Sequence, residues 1–258
     1  MGFEGTILWI AGALCAGLVG SVEAGYRLGK RHLARSPEAK IEGSGAVDNA
    51  VFAILGLILA FTFTGALTRF DQRRQLILKE ANAIGTAYLR LDLLPAETQA
   101  VLRPIYREYV QTRLDLYRGY EQQHLTQKRQ QLAVQLQNQI WQTVTEAVLV
   151  ERNPGITTLV LASTNDVIDV ANERLQATRM HPPVIVYVLL FVLALASALL
   201  VGYNMAANQK RSFYHIGLFC LVITTIVTVT IDLEYPRRGF IRISIGDRVM
   251  EELADSLK

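Results

Sequence analysis

The side chains best placed for chemistry stand at the ends of long uncharged runs. Thr224, Thr228 and Asp232 follow one another at four-residue steps, with Thr225 and Thr230 beside them. That spacing puts the three on one face of a helix. An ionisable group at the end of an apolar span is costly in lipid, and its presence points to function. With several copies around an axis, the threonines would form a polar lane leading to a ring of carboxylates. A local reading competes with this one: the threonines bond back to helix carbonyls, and Asp232 sits in the headgroup zone. A second constellation is Phe52, Gly56, Leu59 and Phe63, close to one helical face, with Asn49 before them and Thr64 and Thr68 after. A ring of such apolar groups can gate a pore by dewetting, and the same residues suit ordinary helix packing.

Other chemistry finds no support. The four histidines, His32, His124, His181 and His215, are scattered, and no HExxH, GxSxG or dinucleotide fingerprint occurs. Gly25-Tyr26-Arg27-Leu28-Gly29-Lys30 imitates a phosphate loop. It has too few residues between its glycines, and Arg31 stands where Ser or Thr is required. Cys15 and Cys220 lie in apolar stretches, where a lone thiol behaves as a small hydrophobe. No enzyme, metal or cofactor is expected, and nothing suggests a nucleic-acid partner.

The elements that must hold these residues are legible from where charge is missing. Half of the chain is hydrophobic (51%) and 19% is charged, yet residues 5–22, 49–68, 182–209 and 212–231 contain no Asp, Glu, Lys or Arg. A bilayer core of about 30 Å needs roughly 20 apolar helical residues. Four transmembrane helices therefore follow, and the lipid bilayer is the first partner. The N-terminus, Met1-Gly2-Phe3-Glu4, lacks the basic start of a secretory signal, so the first span is read as a retained helix. The division is 1–29 (helix one), 30–46 (a basic loop), 47–68 (helix two), 69–181 (a water-exposed helical domain), 182–207 (helix three), 212–232 (helix four) and 233–258 (a C-terminal tail). The fold class is all-α integral membrane protein, with a helical-bundle insert between helices two and three.

Small residues recur at four-residue steps: Ala13, Gly17, Ser21, Gly25 on helix one; Gly56, Ala60, Thr64 on helix two; Ala194, Ala198, Gly202, Ala206 on helix three. In lipid, such faces permit close backbone approach. The insert turns polar and Gln-rich, with helices expected over 69–92, 97–123, 127–150 and 156–178. Nothing breaks the chain at Thr68-Arg69-Phe70-Asp71, so helix two can run on into the insert. Leu132, Leu136, Ile140, Val144 and Val148 form one apolar stripe, and Leu102, Tyr106, Tyr109, Arg113 and Leu116 a second. Both suit a bundle core. Beyond helix four, 240–245 alternates like a strand, and 248–257 is amphipathic.

By the positive-inside rule, five Lys and Arg from Arg27 to Val47 and two in the third loop favour both loops in the cytoplasm and the insert outside. Arg69, Arg73, Arg74, Lys79, Arg237, Arg238 and Arg242 weigh on the other side and leave the assignment open. Four spans in any case place both termini and the insert on one side.

Leu59-Ala60-Phe61-Thr62-Phe63-Thr64-Gly65, then Arg69-Phe70-Asp71-Gln72-Arg73-Arg74, then the run from Glu80 to Arg90 resemble the signature of the bacterial bestrophin-like domain family. The segment from Asp232 through Arg237 and Arg238 to Ser244 resembles its C-terminal motif. The resemblance spans nearly the whole chain. It implies a multi-pass protein of a bacterial inner membrane, distantly related to bestrophins, which are pentameric anion channels with termini and insert in the cytoplasm. Glu80, Asn82, Thr86, Arg90, Arg237 and Arg238 are candidates for a structural junction, where Glu80 and Asn82 could meet Arg69 to Arg74 or the segment after helix four. An ion or ligand site and a solvated helix face are the alternatives. The expected function is a homo-oligomeric ion channel, with anions favoured over cations, helix two at the constriction and Asp232 at one mouth. A carboxylate ring opposes anions there unless Arg237 and Arg238 offset it. The alternative is a non-conducting membrane scaffold or sensor whose insert binds a partner or ligand.

Overall fold

The computed structural model describes residues 3–35, 45–118, 123–150, 153–206, 212–236, 239–241, 243 and 245–257. They form helices α1 (Phe3–Arg35), α2 (Gly45–Arg90), α3 (Ala96–Arg118), α4 (Gln123–Val150), α5 (Pro154–Arg179), α6 (Val184–Met205), α7 (Phe213–Glu234) and α8 (Ile245–Ser256), with a 3-10 turn at Leu91–Leu93. Among the described residues there is no strand. The alternating stretch 240–245 lies partly outside them. α1 continues to Arg35, so the first part of the basic loop is helical, and 36–44 lies outside the described residues. α2 is one helix of 46 residues, because no Pro or Gly interrupts it where its composition changes from apolar to charged.

The chain divides into two compact units, one of 1–69 and 181–241, the other of 70–180 and 242–258. Four helical stretches are long and apolar enough to cross a membrane. The parts of them that lie in the first unit pack around a core of Leu14, Leu18, Leu55, Leu59, Leu190, Ala194 and Val227. Its tightest contact joins α1 to α6. A Cβ on Gly25 would stand 2.0 Å from the Leu199 carbonyl oxygen, and one on Gly202 would stand 1.9 Å from that of Val22. These two small-residue stripes therefore meet backbone to backbone.

In the second unit both sequence stripes reach the interior. Leu136, Ile140, Val144 and Val148 are buried, as are Leu102, Tyr106, Tyr109, Arg113 and Leu116, whereas Leu132 at the start of its stripe is exposed. α5 begins at Asn153-Pro154-Gly155, where the Asn153 side chain accepts the Gly155 N–H at 2.9 Å and Pro154 sits in the first turn. Its other end is capped by Arg73, which donates to the carbonyls of Ala177 and Met180 at 3.1 and 2.8 Å. The amphipathic tail becomes α8 and belongs to this unit. Met250 and Leu257 are buried in its core, and Arg107 Nε donates to the Leu257 carbonyl at 2.6 Å.

Candidate functional site

In the first unit the polar groups gather where α2 and α7 leave their apolar runs. Arg69 is the first charge on α2 after Asp48. Its Nε and Nη2 donate to Oε1 of Glu234, at 2.8 and 2.5 Å. The Glu234 carboxylate is fully buried, a placement that demands a charged, hydrogen-bonded partner. His181 Nδ1 stands 3.6 Å from Glu234 Oε2, and its ring stacks on Tyr235 with centroids 4.8 Å apart. Gly65 makes room for the guanidinium, since a Cβ there would lie 3.3 Å from Arg69 Nη1.

Beside this pair lies a cavity of about 360 Å³. Arg69, Glu234 and Thr230 line its polar end, and Ile58, Phe61, Val186 and Leu189 its apolar walls.

Asp232 has a different task. It is 3% exposed. Its Oδ1 accepts the Phe240 N–H at 2.9 Å and its Oδ2 the Ile241 N–H at 2.7 Å. The carboxylate therefore holds the turn after α7. Gly239 belongs to the same device, because a Cβ there would stand 2.0 Å from Asp232 Oδ1. Thr224 and Thr228 are half-buried. Their hydroxyl oxygens are enclosed and make no hydrogen bond among the described residues. Thr230, by contrast, bonds back to the Ile226 carbonyl at 2.7 Å. Arg237 and Arg238 lie outside the described residues.

The helix-two candidates separate. Leu59 is buried in the core, Phe52 is half-buried, and Gly56 and Phe63 are exposed. The junction candidates separate too. Glu80 is fully buried, with Arg113 Nε 2.6 Å from Oε1 and Arg174 Nη1 2.5 Å from Oε2. It ties α2 to α3 and α5 within the second unit. Next to it, Gln137 Nε2 donates to the Tyr109 hydroxyl at 3.0 Å. Burial raises the Tyr109 phenol well above its ordinary range, and the Glu80 charge adds to this against the opposing Arg113. Burial alone would lower the Arg113 guanidinium, but the Glu80 carboxylate outweighs it and holds it above its usual value. Asn82 and Thr86 are exposed on another face, and Arg90 donates to the Leu159 carbonyl at 2.9 Å.

Sequence reasoning missed Glu234, Arg113, Arg174 and the role of Arg69. Arg69 and Glu234 stand in the two motifs that carried the family resemblance, which is the signal that would have paired them.

Four long apolar helices, with an ion pair on a buried carboxylate where two of the apolar runs end, define a helical membrane protein. A family model for the bestrophin-like domain matches residues 16–245, and the chain belongs to that family. Its fold is similar to crystal structures of a bacterial bestrophin homologue from Klebsiella pneumoniae. A variant with a tryptophan changed to alanine aligns with a TM-score of 0.72 at 12% identity, over 95% of this chain and 96% of that one. A leucine-to-threonine variant aligns with a TM-score of 0.69 at 11% identity, over 97% and 98%. No curated protein matches the chain.

Proposed function

We propose that this chain is one subunit of a homo-oligomeric ion channel, with anions rather than cations as cargo and α2 lining the constriction. The family and the fold it shares with bacterial bestrophin homologues support this reading, and one observation carries it. Successive helix residues turn by about 100°. Leu55, Leu59 and Ala66 mark the buried side of α2. The side away from them, carrying Gly56, Leu57, Ala60, Thr64 and, at its edge, Phe63, is exposed. This stretch contains no charge between Asn49 and Thr68. Several copies arranged with that side inward would form an apolar neck able to gate by dewetting. Leu59 then belongs to packing, and Leu57 takes its place at the neck. Asp232 is engaged in its turn by Phe240 and Ile241, which lessens its opposition to anions.

The test is chloride flux from liposomes containing the purified protein. Leu57→Ser or Phe63→Ser should raise the flux several-fold by wetting the neck, while Leu59→Ala should change stability rather than selectivity. A protein that forms a closed ring in detergent yet carries no flux in wild-type or serine form would favour the scaffold reading.

A further inference from the structure

We propose that the cavity beside the Arg69–Glu234 pair binds a single-chain lipid whose head is a hydrogen-bond acceptor, a long-chain fatty acid being the simplest case. Its volume, about 360 Å³, falls within the range of small-molecule sites, and its two ends differ in chemistry. At the polar end, Arg69 spends Nε and Nη2 on Glu234. Its Nη1 makes no hydrogen bond or ion pair among the described residues, and the side chain is 29% exposed. A guanidinium keeps its charge and all five N–H donors, so the free donors call for an acceptor. Glu234 already offsets the charge, which favours a carbonyl or a singly charged carboxyl over a multiply charged phosphate. Thr62 and Thr230 donate their own hydrogens to helix carbonyls, at 2.8 Å to Ile58 and 2.7 Å to Ile226. Their oxygens thus remain as acceptors for a protonated carboxyl.

The walls suit an alkyl chain. From Arg69 back to Ile58 the cavity follows α2 for about 16 Å at 1.5 Å per residue, a path that an extended chain can follow. Phe61, Val186 and Leu189 line it. Its wall on α6 is apolar and open, with Leu189 45% exposed, so a ligand dissolved in hydrocarbon can enter sideways. Gly65 keeps the floor low beneath Nη1. None of this requires that the protein conduct ions.

The experiment is binding of radiolabelled palmitate to the full-length protein in detergent, with dodecane and acetate as competitors. Saturable binding that neither competitor displaces at hundredfold excess is expected. Val186→Trp, which fills the cavity without touching the ion pair, should weaken binding at least tenfold. Val188→Trp, on the exposed neighbouring face, should not. If Val186→Trp fails to fold, Leu189→Phe serves the same purpose. Displacement by dodecane would reduce the site to an apolar groove, and displacement by acetate to a small-anion site. Unchanged binding in a folded cavity-filling variant would also overturn the proposal. So would an intermolecular disulfide through Val186→Cys, in a background with Cys15 and Cys220 changed to serine, because a second copy would then cover the cavity.

Discussion

At the scale of single residues, the strongest constraints are buried carboxylates with backbone or guanidinium partners. Glu80 has no exposed surface and two arginines. Removing its charge takes a buried carboxylate away from both Arg113 and Arg174. Breaking such a buried group costs about 3–5 kcal/mol, so Glu80→Gln should lower the urea midpoint of the second unit, followed by Trp141 fluorescence in a Trp9→Phe background. Tyr106 gives this unit a sensitivity to alkali. Burial pushes its phenol up to about 12, with Thr164 opposing. Below about pH 10, the ordinary tyrosine value, folded and unfolded chains both keep the proton and stability does not change. Between there and about 12 only the folded chain keeps it, so stability falls as pH rises, on the order of 1 kcal/mol per pH unit. Tyr106→Phe should flatten that part of the pH profile of the urea midpoint. Glu80 was legible as a residue needing a reason. Its partners were not, since Arg174 stands 94 positions away in the chain.

At the scale of elements, the α1–α6 contact shows how small-residue stripes work. Three stripes were legible from spacing alone, but not which would meet. α1 and α6 meet because Gly25 and Gly202 each face the other helix's carbonyls, whereas the α2 stripe stays open, with nothing within 4 Å of a Cβ on Gly56. Gly202→Ala forces the two backbones apart. A cost of at least about 1–3 kcal/mol is expected for overpacking. It should appear as earlier heat-induced reaction of the buried Cys220 thiol with a maleimide dye in detergent. Gly12→Ala, where a Cβ has nothing within 4 Å, should leave that transition in place.

At the scale of the whole molecule, the chain builds two cores from interleaved segments. The first is mainly apolar, with Asp232 and the Arg69–Glu234 pair at one end. The second is closed by buried charge, by Arg73 on the end of α5 and by Arg107 on the end of α8. Urea acts on peptide and apolar groups that water can reach, and the second unit depends on ion pairs and helix caps as well as apolar area. Two separate transitions are expected in a urea titration in detergent: Trp141 fluorescence should change first, and Cys220 should become reactive only at higher urea. Coincident transitions would show that the units unfold together.

The sequence by itself determined the class and the four apolar helices, because a missing charge over some 20 residues is a local property that hydrocarbon enforces. It also determined the bundle stripes and the break at Asn153-Pro154-Gly155, which depend on helical period and backbone chemistry close along the chain. Only the tertiary structure decided the partners. Asp232 was legible as an ionisable group at the end of a span, and folding turned it into a clamp for Phe240 and Ile241. Leu59 shared a helical face with Phe63, and packing buried one and left the other open. Arg69 and Glu234 lie 165 positions apart, and a pairing across that distance has no period to announce it.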